Sequence, residues 1–247
     1  MAIIFPLHLC TFAPLNLHEM YKMLKIAHRG AKAYEPENTL QAFQKALDLN
    51  SDGIELDVHL SADGHLIVIH DETIDRTTNG KGFVNTFSIA ALKLFLIEEK
   101  YQIPTLNEVF DLVDKKCLIN IELKGLATPA KVVALIEHYI SEKNWNYNHF
   151  IVSGFDWNML QETSDLNPKI PIGVLTEENI DTALAFAKTI KAKAIHPDFQ
   201  LLNTNNVKEI QKKGFLVLPW TVNEEDDIQK IKSYAVDGII SDCPDKI

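Results

Sequence analysis

Eight short runs of apolar, largely β-branched residues recur from Leu24 onward, separated by segments whose apolar residues repeat with helical period. This alternation constrains the fold most, because parallel strands need crossovers of a dozen or more residues and helices supply them. The runs are 24–28 (LKIAH), 53–59 (GIELDVH), 117–123 (CLINIEL), 149–153 (HFIVS), 171–175 (PIGVL), 193–196 (KAIH), 215–220 (FLVLPW) and 237–241 (DGIIS). In a chain of 247 residues they predict an α/β fold, a (β/α)8 TIM barrel, with a doubly wound sheet as second choice. No G-x-G-x-x-G follows the first run, which weakens the dinucleotide-binding form of that second choice. Helix starts are readable too. Asn38 is expected to cap 39–49, and Thr105-x-x-Glu108 reads as a capping box opening 106–114. Thr128-Pro129 supplies a cap and a first-turn proline before 130–142, and Asn223 precedes the acidic pair Glu224 and Glu225.

Two irregularities modify the barrel. An extra apolar run at His65–His70 is followed by a polar Gly/Thr/Asn stretch, so residues 73–104 read as a small insertion after the second strand. The last run is followed only by Cys243–Ile247, which predicts a stunted last helix. The expectation is one barrel domain over 23–247, with 1–22 as a leader or tail. Residues 1–18 carry no Lys, Arg, Asp or Glu, and Pro6, His8 and Pro14 interrupt their apolar run. That pattern lacks the basic start and unbroken core of a secretory signal, and it is shorter than a membrane span. An upstream start codon, with Met20 or Met23 as the true start, would account for it.

The charge balance excludes some partners. Asp+Glu 34 against Lys+Arg 24 gives −10, so neither nucleic acid nor an anionic membrane is expected to attract this surface. An anionic substrate must be drawn by a local cluster. Cys10, Cys117 and Cys243 form no C-x-x-C pair and no even framework, which fits a reducing compartment. A cytoplasmic protein without stable membrane insertion is the expectation.

Polar residues gather where the predicted strands end. Glu55 and Asp57 are two apart on one strand and share a face, leaving Ile54, Leu56 and Val58 to the other. Two inward carboxylates repel and are costly to desolvate unless a cation joins them. Glu122 and Lys124 repeat the spacing, His28 and Arg29 end the first run, and His70-Asp71 ends the extra one. In a barrel all these ends meet on one rim, where active sites lie. Glu55, Asp57 and Glu122 carry −3 and Arg29 with Lys124 +2, so one divalent cation turns a repelling −1 into +1. All-oxygen ligands favour Mg²⁺ or Ca²⁺ over zinc. Two histidines suit proton transfer near neutral pH, while Arg29, Lys124 and a metal could neutralise the charge of a transferring phosphoryl group.

These residues resemble the glycerophosphodiester phosphodiesterase family from about Lys25 to Asp245. The matching motifs are His28-Arg29-Gly30, Pro36-Glu37-Asn38-Thr39, Glu55-Leu56-Asp57, His70-Asp71 and Arg76-Thr77-Thr78-Asn79-Gly80. They continue with Ile103-Pro104-Thr105-Leu106, Glu122-Leu123-Lys124, Trp220-Thr221-Val222-Asn223 and Asp237-Gly238-Ile239-Ile240-Ser241-Asp242. Each is short, but their order and spacing together are specific. The resemblance implies a metal-dependent phosphoric diester hydrolase that cleaves deacylated phospholipids to sn-glycerol 3-phosphate and an alcohol, acting as a monomer or homodimer on a small-molecule substrate. It implies that His28 and His70 are the acid/base pair and that Glu55, Asp57 and Glu122 hold the metal. Arg29 and Lys124 would bind phosphate, Glu37 and Asn38 would line or brace the pocket, and Trp220 would wall the glycerol side. Trp220 reads equally as a core aromatic at a strand end. The sequence departs from the family in its shortened tail, in Gly154 between Ser153 and Phe155, and in the leader before Tyr21.

The alternative is a catalytically silent barrel that binds glycerol phosphates, but such a protein would be expected to lose a ligand or a histidine, and none is missing. A barrel aldolase or isomerase using Lys124 as a Schiff-base amine is weaker, because the carboxylate two residues away keeps that amine protonated. An aromatic cage for a choline leaving group would draw on Tyr34, Phe155, Phe199 and Trp220.

Overall fold

The computed structural model describes residues 23–247, so the leader reading of 1–22 lies outside the described residues. The chain begins β1 (Leu24–Ala27), α1 (Leu40–Asp48), β2 (Gly53–Leu60), β3 (Leu66–Val68), α2 (Ile89–Leu92), β4 (Leu96–Ile97), β5 (Tyr101–Gln102) and α3 (Leu106–Val113). It continues β6 (Leu118–Leu123), α4 (Thr128–Glu142), β7 (Phe150–Gly154), α5 (Trp157–Leu166), β8 (Ile172–Thr176) and α6 (Ile180–Thr189). The last elements are β9 (Ala194–Pro197), α7 (Thr204–Lys212), β10 (Leu216–Val217), α8 (Glu225–Ser233) and β11 (Gly238–Ser241). Eight strands run parallel in the order β10-β9-β8-β7-β6-β2-β1-β11, with helices between them. This is the expected (β/α)8 barrel. A single 3-10 turn, Pro244–Lys246, follows β11 in place of a closing helix. No helix among the described residues is long and apolar enough to cross a membrane.

The sheet closes imperfectly. The run expected to be a strand over 215–220 is regular strand at Leu216–Val217 and continues beside β9 as an isolated bridge at Trp220. The Leu218 and Trp220 N–H groups still donate to the Ile195 and Pro197 carbonyls of β9 at 3.0 and 3.2 Å, while Pro219 has no N–H to offer on the β11 side. The seam between β10 and β11 is laced by the Asp237 and Ile240 N–H groups, which donate to the Val217 and Pro219 carbonyls at 3.1 and 2.9 Å. A further bond runs from the Val222 N–H to the Ile240 carbonyl at 3.1 Å.

Strand periodicity sorts the two faces. Ile54, Leu56 and Val58 are fully buried in the outer layer, against helix residues such as Phe43 and Phe110. The inner face holds Ile26, Ile151, Ala194, Leu218 and Ile240, with Leu24, Leu118 and Leu216 packed against them. Gly238 lets that interior close, since a Cβ there would stand 2.8 Å from both Leu24 and Leu218 side-chain carbons. Toward the C-terminal rim the inward positions turn polar: His28 follows Ile26, Glu122 follows Asn120, and Asp242 follows Ile240.

Between β2 and α3 the chain makes an excursion. β3 turns back antiparallel to β2, β4 and β5 form a hairpin, and α2 packs beside them. Ile67, Ile74, Val84, Leu92, Ile97 and Ile103 form its own buried cluster. α3 then starts at the expected capping box, with Thr105 and Glu108 bonding each other's backbone N–H.

Candidate active site

The rim is shaped first by a left-handed turn after β1. Arg29 has φ 54° and Gly30 φ 80°, and a Cβ on Gly30 would lie 2.7 Å from the Ala42 carbonyl carbon of α1. Glycine alone fits that approach. The turn lets the Arg29 N–H donate to Glu55 Oε2 at 2.8 Å and its carbonyl accept from the Asn38 N–H at 2.9 Å. Asn38, itself at φ 56°, donates through Nδ2 to Asp57 Oδ2 at 2.8 Å. The cap expected of Asn38 is therefore supplied by its neighbour: Thr39 Oγ1 accepts from the Ala42 N–H at 3.1 Å. Both residue types cap well, and the carboxylate claims the asparagine.

Glu55, Asp57 and Glu122 come together. Asp57 faces Glu122 across the β2–β6 ladder, and all three offer oxygens within 4.8 Å of one another from buried positions. Burial, then the Asp57 and Glu122 charges, push the Glu55 carboxyl well above its ordinary range, only partly offset by Arg29. Burial and Asp57 push Glu122 up to about 7, against the pull of Lys124 and Arg29. Buried Glu55 Oε1 has no hydrogen-bond partner. An acidic trio that would otherwise take up protons, with an oxygen left over, fits a divalent cation. Lys124 Nζ pairs with Glu122 and lies 3.6 Å from Asp57 Oδ1.

The two histidines are held alike. His28 Nδ1 lies 2.6 Å from Asp242 Oδ1, and His70 Nδ1 lies 2.7 Å from Asp71 Oδ1. An aspartate on Nδ1 fixes the tautomer and leaves Nε2 free in each ring. Burial lowers the His28 pKa, while the Asp242 hydrogen bond and charge work against that shift. Behind Asp242, Asn223 donates from Nδ2 to Oδ2 at 3.0 Å, so its expected place before α8 serves the rim rather than the helix. Behind Asp71, Arg76 donates to both carboxylate oxygens at 2.7 and 2.9 Å and also reaches Glu37 at 2.7 Å.

A cavity of about 250 Å³ gathers His28, Arg29, Glu55, His70, Glu122, Lys124 and Trp220. Asp57, Glu37 and Asn38 stand behind its wall. Glu37 accepts from Arg29 Nη1 at 3.0 Å, and although burial favours its neutral form, Arg76 and Arg29 hold its pKa down to about 2. Of the candidate cage aromatics, Phe155 and Trp220 line the cavity, meeting edge to face at 5.4 Å between ring centroids. Gly154 extends β7 without displacing Phe155 from the rim. Trp220 also donates from Nε1 to the His196 carbonyl at 2.8 Å.

Ser153, like Phe155, lines the cavity despite the intervening Gly154. Several other lining or bracing groups escaped the sequence reading. Asn120 lines the cavity and accepts from Ser153 Oγ at 2.9 Å. Asn120 was findable, two residues before Glu122 on the same strand face. Asp71 adjoins His70 in sequence, but Asp242 lies 214 positions from His28 and only the closed barrel joins them.

Comparison with known proteins gives this geometry its context. Residues 28–246 match the glycerophosphoryl diester phosphodiesterase family. A glycerophosphodiester phosphodiesterase of Caldanaerobacter subterraneus subsp. tengcongensis is 39% identical over 235 residues, spanning 92% of this chain and 96% of that protein. Among solved structures, an Oleispira antarctica phosphodiesterase in complex with the product sn-glycerol-3-phosphate superposes with a TM-score of 0.82 at 26% identity, covering 90% of this chain and 94% of that one. The Thermotoga maritima glycerophosphodiester phosphodiesterase has a TM-score of 0.76 at 30% identity, covering 91% and 96%. This chain belongs to the glycerophosphoryl diester phosphodiesterase family.

Proposed function

We propose that the chain hydrolyses glycerophosphodiesters to sn-glycerol 3-phosphate and an alcohol. The observation that carries this reading is the pair of histidines, each tied through Nδ1 to an aspartate, flanking three carboxylates that could hold a cation. His28 and His70 share the proton work: one takes the nucleophile's proton as the other gives a proton to the leaving oxygen. Arg29 and Lys124 draw the phosphodiester and hold its equatorial oxygens. Glu37 and Asn38 keep the Arg29 turn in place, and Trp220 walls the glycerol. Glu55, Asp57 and Glu122 would hold Mg²⁺ or Ca²⁺, which when bound supplies positive charge against the phosphate oxygens.

The nucleophile is water or the substrate's own glycerol hydroxyl, and trapping a cyclic phosphate would establish the second route. On this reading the protein works on deacylated phospholipids in the cytoplasm, as a monomer or homodimer needing no macromolecular partner. Three cysteines without an even framework support that compartment. The test is a panel of glycerophospho-choline, -ethanolamine, -glycerol and -inositol, followed by released glycerol 3-phosphate. Release should require Mg²⁺ or Ca²⁺ and stop on chelation. Absence of release from every diester with either metal would overturn the reading.

A further inference from the structure

We propose that the leaving alcohol is seated in a second cavity beside the first, where Glu72 and Phe83 favour an alcohol bearing an ammonium group. The inference rests on the diester hydrolase reading above. This second cavity, about 200 Å³, is lined by His59, Glu72, Phe83, Asn85, Lys124 and Leu126, among others. Lys124 belongs to the walls of both cavities. The second one also adjoins His70, because His59 Nε2 lies 3.1 Å from the His70 carbonyl oxygen. A phosphate held between the two imidazoles, with its glycerol against Trp220 and Phe155, turns its other ester oxygen toward His70 and this space. Cleavage then breaks the P–O bond to the alcohol and puts the nucleophile's oxygen on phosphorus. His28 takes the nucleophile's proton, and His70 gives one to the departing oxygen.

The chemistry of the walls selects the alcohol. Glu72 and Phe83 lie on neighbouring stretches, joined by the Val84 N–H donating to the Glu72 carbonyl at 2.9 Å and by the Thr73–Phe83 bridge. The Glu72 carboxylate has no ion-pair partner among the described residues, although its charge is felt at the His59 ring. Phe83 leaves 52% of its surface open and Leu126 80%. Lys124 does not cancel Glu72, because its ammonium is engaged by Glu122 and Asp57 and lies 5.7 Å from the Phe155 ring centre, on the first cavity's side. A free carboxylate beside an open aromatic ring and an aliphatic wall is the combination that holds an onium ion.

The test compares kcat/KM for glycerophosphocholine with that for glycerophosphoglycerol in the wild type, Glu72→Asp, Glu72→Gln and Glu72→Lys. Because Glu72 is on the surface, these variants should melt like the wild type. The cationic substrate should be preferred by about tenfold in the wild type, as expected of one partly exposed carboxylate with one ring. That ratio should persist in Glu72→Asp, fall toward one in Glu72→Gln and invert in Glu72→Lys. A wild-type ratio near one, or a ratio that ignores Glu72→Lys, would overturn the inference while leaving the hydrolase intact. Calorimetry of both diesters with Mg²⁺ or Ca²⁺, in a His28→Ala background, separates the two readings. Preferential glycerophosphocholine binding that Glu72→Lys abolishes upholds the cavity even if no diester is turned over, and equal binding of both diesters overturns it.

Discussion

The His28 flank of the rim and the His70 flank share one arrangement, an aspartate on Nδ1, set in opposite surroundings. His28 stands at the end of a barrel strand with 15% of its side chain exposed, and Asp242 directly follows the strand paired beside it. His70 stands on the excursion with 31% exposed, and its Asp71 is anchored by Arg76, which is half exposed itself. Arg76 ties the excursion back to Glu37, and through Glu37 to Arg29. The first imidazole is thus aimed by the closure of the sheet, the second by a charged strap across the surface. Surface ion pairs are weak and screened, whereas buried hydrogen-bonded charges are costly to disturb. The same chemical device should therefore be stiff on one side and forgiving on the other.

The largest expected effects are symmetrical. His28→Ala and His70→Ala should each lower kcat by about 10²–10⁴ while the protein still melts as a folded chain. Near-wild-type turnover in either variant would remove that ring from the reaction. Asymmetry should enter one layer out. Asp242→Asn should cost about 10² in kcat, because an amide can present N–H to Nδ1 and install the wrong tautomer. On the exposed flank Asp71→Asn should cost only about tenfold, since water and Arg76 tolerate the exchange. Equal losses in steady-state kinetics would break the comparison.

Between those two magnitudes lies a stability effect confined to the barrel. His196 is fully buried, both ring nitrogens lack hydrogen-bond partners, and burial lowers its pKa to about 3. The unfolded chain, with an ordinary imidazole near pKa 6.5, binds the proton first as pH falls. Stability is accordingly lost from about pH 6.5 downward to the folded value. At pH 5 the loss should be about 2 kcal/mol relative to pH 7. Urea midpoints at the two pH values should show this dependence shrinking in His196→Leu. An unchanged slope would mean that the ring is protonated in place.

Most of the barrel was legible because a period of two, with β-branched runs on one face and polar ends on the other, survives in sequence. Capping signals placed α3, and the spacing of Glu55, Asp57, Glu122 and Lys124 was enough to predict a shared face. The 215–220 run was less regular than its apolar pattern suggests: Leu216–Val217 form the strand, and beyond them single N–H bonds from Leu218 and Trp220 carry the pairing with β9. Adjacent cap candidates misassigned Asn38, since sequence does not show that a buried carboxylate needs its amide more than the helix does. The partners of the histidines were harder still. Asp242, Asn223 and Arg76 appear in recognisable motifs, but their tasks arise only when distant strand ends meet. The second cavity needs the excursion to fold against the β6–α4 loop, a juxtaposition that no periodicity encodes.

The incomplete lacing between β10 and β11 has a mechanical consequence. Asn223 follows the first of these strands and Asp242 the second, and the bond between them bridges the slit. One carboxylate is thereby both a clasp for the ring of strands and the rudder of an imidazole. Trp220 lies on the opposite lip, so on the proposed reading any loosening there widens the wall offered to the glycerol and detunes His28 together. Substitutions along this slit, remote from the phosphorus, should surface as paired changes in KM and kcat.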